Sequence, residues 1–144
     1  MGTRRKSREL ALQVLYQQEM AGPDNILDFD EFCTHFQVYK KSIPYARDLL
    51  AGIRDKGEII DQRIRKYAQN WRLERMSVID RNILRIAVYE VYYHDDVPIS
   101  VAINEAVEIA KSFSTDDSGS FINGILDAMA REETLSPASG KKED

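Results

Sequence analysis

The strongest constraint on the fold is how rarely the chain is punctuated. Its 144 residues include four prolines and seven glycines. Between these the apolar residues recur at intervals of three and four, the period of one helix face, and not at the interval of two that a half-buried strand requires. The chain is therefore read as all-α, with no segment that alternates as a strand would.

The first helix is expected from about Arg4 or Ser7 to Met20, with Ala11, Val14 and Leu15 on its buried face and "AGPDN" ending it. A short second helix holds Phe29, Phe32, Cys33 and Phe36. A third begins near Pro44, a residue suited to a first turn, and keeps helical spacing through Leu49, Ile53, Ile60, Ile64 and Tyr67. Gly52 and Gly57 weaken it by up to about 1 kcal/mol each, so a bend is expected there. After Trp71, "SVIDRNILRIAVYEVYY" opens with Ser77 and Asp80 in capping-box spacing. Its apolar residues cover more than one stripe, which makes it the central helix, with Arg81, Asn82 and Arg85 marking an open edge. "VAINEAVEIAKSF" is amphipathic, and a last helix after "STDDSGS" buries Ile122, Ile125, Leu126 and Met129. Short connections favour antiparallel neighbours. The expected organisation is one domain, residues 1–133, made of two small packed bundles (about 4–70 and 77–133) with six to seven helices, and a disordered tail over 134–144.

Composition narrows the function. A content of 43% hydrophobic and 31% charged residues is that of a soluble globular protein, and no apolar run is long enough to span a bilayer. The single cysteine, Cys33, has no disulfide partner in the chain, and no CxxC or Cys/His cluster is present to hold zinc. A reducing, cytoplasmic setting is expected. His35 and His94 have no serine, cysteine or acid at a spacing that suggests catalysis, and there is no P-loop or GxGxxG motif. Neither an enzyme nor a metal or cofactor site is expected.

The charge distribution is more informative. The chain carries 20 Lys+Arg against 24 Asp+Glu, a formal charge of -4, yet it opens with Arg4, Arg5, Lys6 and Arg8 before any acid. A charge run alone is most simply a solvated terminus. Positive charge at a helix N-terminus opposes the helix dipole, however, and makes better sense with an anion bound there. Two aromatics also miss the core stripes. At about 100° per residue, Tyr16 lies far round the first helix from Ala11, Val14 and Leu15, and Phe121 is about 90° off the last helix's stripe. Cations for phosphates and edge aromatics for bases are the usual equipment for single-stranded nucleic acid.

Four stretches, "RRKSRELALQVLYQ", "DRNILRIAVYEVYY", "DVPISVAINEAVEIAKSF" and "SGSFINGILD", resemble the NusB family in order and separation, over nearly the whole chain. The last two are the specific ones. The resemblance implies two helical bundles set across one another and no catalytic activity. It implies a transcription antitermination factor that binds boxA RNA in nascent ribosomal transcripts, paired with the small-subunit ribosomal protein NusE. NusA, NusG and RNA polymerase complete the larger complex. Carried over residue by residue, the RNA surface includes Arg4, Arg5 and Arg8, with Lys6 beside them in the arm, and Tyr16, Asp117 and Phe121; Asp80 is the expected partner-binding position. Asp117 has the alternative role of capping the last helix. Many relatives carry a lysine or arginine just before the phenylalanine where this chain has Ser120. Some members form homodimers that cover the RNA surface. A helical protein-interaction module without sequence-selective RNA binding is the alternative function. A third, an RNA-modifying enzyme, is disfavoured: related domains occur fused to ribosomal RNA methyltransferases, but no glycine-rich cofactor loop is present.

Overall fold

The computed structural model describes residues 2–135. Among these residues seven α-helices follow one another: α1 (Thr3–Met20), α2 (Phe29–His35), α3 (Ile43–Asp55), α4 (Gly57–Tyr67), α5 (Val78–Tyr93), α6 (Ile99–Phe113) and α7 (Asp116–Leu135). Single 3-10 turns occupy Pro23–Asn25, Lys40–Ser42 and Leu73–Arg75, and the described residues contain no strand. Of the tail expected over 134–144, residues 134 and 135 instead end α7, and residues 136–144 lie outside the described residues.

Local chemistry sets the boundaries. A reciprocal capping box starts α2, in which the Glu31 amide donates to Asp28 Oδ1 at 2.8 Å and the Asp28 amide donates to Glu31 Oε1 at 3.0 Å. Ser77 caps α5 by accepting from the Asp80 amide at 3.0 Å. The helix expected to run from Tyr45 to Tyr67 with a bend is instead broken at Lys56 (φ -110°, ψ 16°) into α3 and α4. Gly52, one turn before the break, sits against α5. A Cβ at Gly52 would lie 2.1 Å from the Tyr89 ring, so the glycine lets α3 press directly onto α5. The last helix also starts earlier than expected. Thr115 Oγ1 accepts from the Ser118 amide at 3.0 Å, which draws "DDSGS" out of the loop and into the first turn of α7.

α5 is the central element and touches α1, α3, α4, α6 and α7. The core is one contiguous cluster, from Leu12 and Leu49 through Ile83 and Leu84 to Leu126 and Met129. Each such side chain contributes about 1.5–3 kcal/mol by leaving water.

The polar edge of α5 is not open. Asn82 is fully buried, and Arg81 and Arg85 reach Glu19 near the end of α1. Asn82 Nδ2 donates to Glu19 Oε2 at 2.6 Å, while Arg85 Nε donates to Asp61 Oδ1 of α4 at 2.9 Å. Burial works against ionisation of Glu19, but hydrogen bonds from Arg81 and Asn82 outweigh it and hold the carboxyl below its usual range. This clamp joins the end of α1 to the start of α5. Arg8 joins the start of α1 to the end of α5 through Glu90, so the two helices run antiparallel.

Candidate nucleic-acid interface

The basic arm forms the first two turns of α1, whose N-cap Gly2 supplies no side-chain cap and whose first turn holds no acid. The anions that answer its charge belong to the chain itself. Arg4 donates to Asp96 at 2.8 Å and its guanidinium lies 4.2 Å from the centre of the Tyr45 ring. Arg5 makes a two-pronged pair with Glu105, at 2.5 and 2.6 Å. Lys6 is exposed, its ammonium 4.5 Å from the centre of the Tyr39 ring.

Arg8 differs from its neighbours. It is 4% exposed and donates to both oxygens of Glu90, which is 1% exposed, at 2.9 and 3.0 Å. Its Nη1 reaches Glu105 at 3.3 Å, and the Tyr45 hydroxyl also donates to Glu90. Burial and the adjoining Glu90 carboxylate push the Tyr45 phenol far above its usual range. Arg5, through its hydrogen bonds, holds Glu105 below the usual carboxylate range, and Arg4 does the same for Asp96. A shallow groove lined by Arg4, Arg5, Pro98, Val101 and Glu105 runs along this end. The positive charge expected to await an outside anion is thus divided: Arg8 belongs to the core, Arg5 is held against Glu105, and Arg4 and Lys6 face solvent.

Tyr16 stands at the other end of α1, about 18 Å from Arg4 at 1.5 Å per residue, and is 42% exposed. The Glu19 clamp sets that end beside the start of α5. There Asp80 Oδ2 accepts from Ser118 Oγ at 3.1 Å, while Asp80 Oδ1 is buried with no hydrogen-bond partner among the described residues. Ser118 is next to Asp117, which is exposed in the first turn of α7, where the helix dipole favours its negative charge. The cap is Thr115, so Asp117 is free of that alternative role. Phe121 is half-buried one turn on. Asp80, Asp117 and Phe121 therefore share one end of the molecule, while the arm occupies the opposite end of α1.

Sequence reasoning did not single out Trp71. It is 61% exposed, more than any other large apolar side chain among the described residues, and meets Phe121 edge to face at 5.7 Å between ring centres and 83° between planes. It lies between helices, where no periodicity marks it. Cys33 is partly buried, and burial pushes its thiol up, away from a nucleophile's range. The described residues contain no group of His, Cys, Asp and Glu placed to hold a metal, and no described helix is long and apolar enough to cross a membrane.

The model of the NusB family matches residues 5–131. The transcription antitermination protein NusB of Desulfotalea psychrophila is 48% identical over 135 residues, which cover 90% of this chain and 96% of the relative. Among solved structures, T. maritima NusB is 39% identical with a TM-score of 0.77, covering 90% of this chain and 91% of that one. A chain from a crystal structure of antitermination factors NusB and NusE in complex with dsRNA is 24% identical with a TM-score of 0.74, covering 90% and 97% respectively; this last likeness carries the fold alone. Shared fold, end-to-end coverage and near one-in-two identity to a relative lead to one conclusion: the chain belongs to the NusB family.

Proposed function

We propose that this protein is an RNA-binding transcription antitermination factor, acting in the cytoplasm on nascent ribosomal RNA. It recognises boxA-type single-stranded RNA together with the ribosomal protein NusE, and with NusA and NusG suppresses termination by RNA polymerase. The observation that carries this reading is the start of α7, where the exposed Asp117 and the half-buried Phe121 stand near Asp80 on a chain of this family.

The chemistry divides between the two ends. Arg4 and Lys6 are placed to hold phosphates without reading sequence. The Arg4–Asp96 pair is exposed on both sides, and such pairs contribute little, so a phosphate can replace the carboxylate. Arg5 and Arg8 serve chiefly to fix α1. At the other end Phe121 and Tyr16 offer ring faces to splayed bases, and the Asp117 carboxylate accepts from base N–H groups. Asp80 lies where NusE would dock, one hydrogen bond from the segment that meets RNA.

Single-round transcription through a terminator placed after a boxA sequence tests this function. Read-through should rise when this protein and NusE are added with NusA and NusG, and should fall back when boxA is scrambled. Read-through that ignores the protein, or ignores the RNA sequence, refutes the proposal.

A further inference from the structure

Beside Phe121 runs a groove whose walls come from the end of α4, the segment after it and the start of α7. Trp71 forms one wall, with Gln69, Asn70 and Ser120 among its polar lining and Gly124 leaving the α7 side without a side chain. The edge-to-face contact between Trp71 and Phe121 sets the two ring planes at 83°, so they form a corner and not a sandwich. The indole is 61% exposed, so much of its surface is open to a ligand in the groove. A corner of two aromatic faces with amide and hydroxyl groups along it matches a flat heterocycle with hydrogen-bonding edges. No carboxylate lines this groove, whereas the arm groove at the other end contains Asp96 and Glu105.

From this we infer that Trp71 is a base-binding residue: it stacks on a nucleobase of bound single-stranded RNA next to the base held by Phe121, with Gln69, Asn70 or Ser120 meeting the edge of that base. The inference rests on the RNA-binding reading given above and extends its surface across the groove to the segment joining α4 and α5. Stacking on an aromatic ring tolerates any base, so Trp71 adds affinity and lengthens the bound RNA, while the amides add a preference at that nucleotide.

The chain has a single tryptophan, so its emission reports this position alone. The full chain is titrated with a fluorescein-labelled boxA RNA, read by anisotropy, and with the unlabelled RNA, read by tryptophan emission, each with and without the ribosomal partner. The inference expects emission to be quenched with the same midpoint as the anisotropy. Trp71→Ala should bind about 5-fold to 100-fold more weakly and Trp71→Phe should recover most of the loss, since a stacked base is worth that much. RNA binding that leaves the emission and the Trp71→Ala affinity unchanged overturns the role of Trp71 and leaves the RNA-binding reading intact. Failure of RNA to bind under any of these conditions overturns both. Emission that shifts with protein concentration alone, alongside a dimer in sedimentation, assigns the indole to a second copy of the chain and overturns the inference.

Discussion

Replacing Arg8 by methionine separates a structural arginine from a phosphate ligand. Arg8 and Glu90 have side chains 5% and 1% exposed; the single Nε–H is shared between the two carboxylate oxygens at 2.9 and 3.0 Å, and Nη2 lies 2.9 Å from Oε2. Removing one partner of such a pair leaves an uncompensated buried charge, which costs about 3–5 kcal/mol. For a domain whose whole stability is about 5–15 kcal/mol, this is a large fraction. Urea denaturation followed by circular dichroism gives the value from the midpoint at constant slope. The second variant, Arg8→Met with Glu90→Gln, removes both charges and keeps an acceptor for the Tyr45 hydroxyl. It should recover more than half of the loss, whereas independent sites would add. RNA affinity of folded Arg8→Met should keep the wild-type salt dependence. A destabilisation below about 1 kcal/mol, together with a log-log salt slope shallower by about 0.7, would show that Arg8 binds phosphate and that its buried pairing is incidental.

The other expectations concern helix packing, pH and salt. Gly52→Ala should destabilise by about 1–3 kcal/mol despite alanine's better helix propensity, because its Cβ meets the Tyr89 ring at 2.1 Å; Gly124→Ala, with nothing within 4 Å, should stabilise by about 0.5–1 kcal/mol. Thermal melts of the two variants should therefore move in opposite directions, and a stabilised Gly52→Ala would contradict the packing of α3 on α5. Because Arg5 holds the Glu105 carboxyl below its ordinary 4.5, that group adds stability above this value and loses it as pH falls through the lowered pKa. Urea midpoints of wild type and Glu105→Gln should differ at pH 7 and converge as the pH is lowered from 4.5 through the depressed pKa of Glu105; a gap that does not shrink as the pH falls argues against the Arg5–Glu105 pair. With Arg4 and Lys6 as the arm's open cations, the arm should contribute a slope of about -1.4 to log affinity against log salt, not the -2 to -3 that three or four contacts would give. Arg4→Ala with Lys6→Ala should remove that component.

The helices were legible because burial on one face leaves a period that no tertiary partner is needed to interpret. The break at Lys56 left no such trace, since Gly52 and Gly57 interrupt the pattern without shifting it, and the close approach of Gly52 to the Tyr89 ring involves a residue on another helix. Polar residues misled for the same reason. Asn82 reads as solvent-facing until Glu19, 63 positions earlier, is brought against it. The arm's internal partners are equally hidden from a local reading, since Glu90 and Glu105 lie 82 and 97 positions beyond Arg8. Tyr16 and Phe121 were visible as aromatics off a helical stripe. Trp71 was not, because a residue between helices has no stripe from which to deviate, and only its contact with Phe121 marks it.

The central claim is that the aromatic and acidic end reads sequence while the arm holds phosphate. It is tested most directly by the ratio of affinities for boxA and scrambled RNA, measured by anisotropy with NusE present, for wild type, Phe121→Ala and the Arg4→Ala, Lys6→Ala pair. The account predicts a wild-type ratio well above one, a ratio near one for Phe121→Ala, and an unchanged ratio with uniformly weaker binding for the arm variant. A wild-type ratio of one, or a ratio that collapses with the arm variant and survives Phe121→Ala, would contradict it.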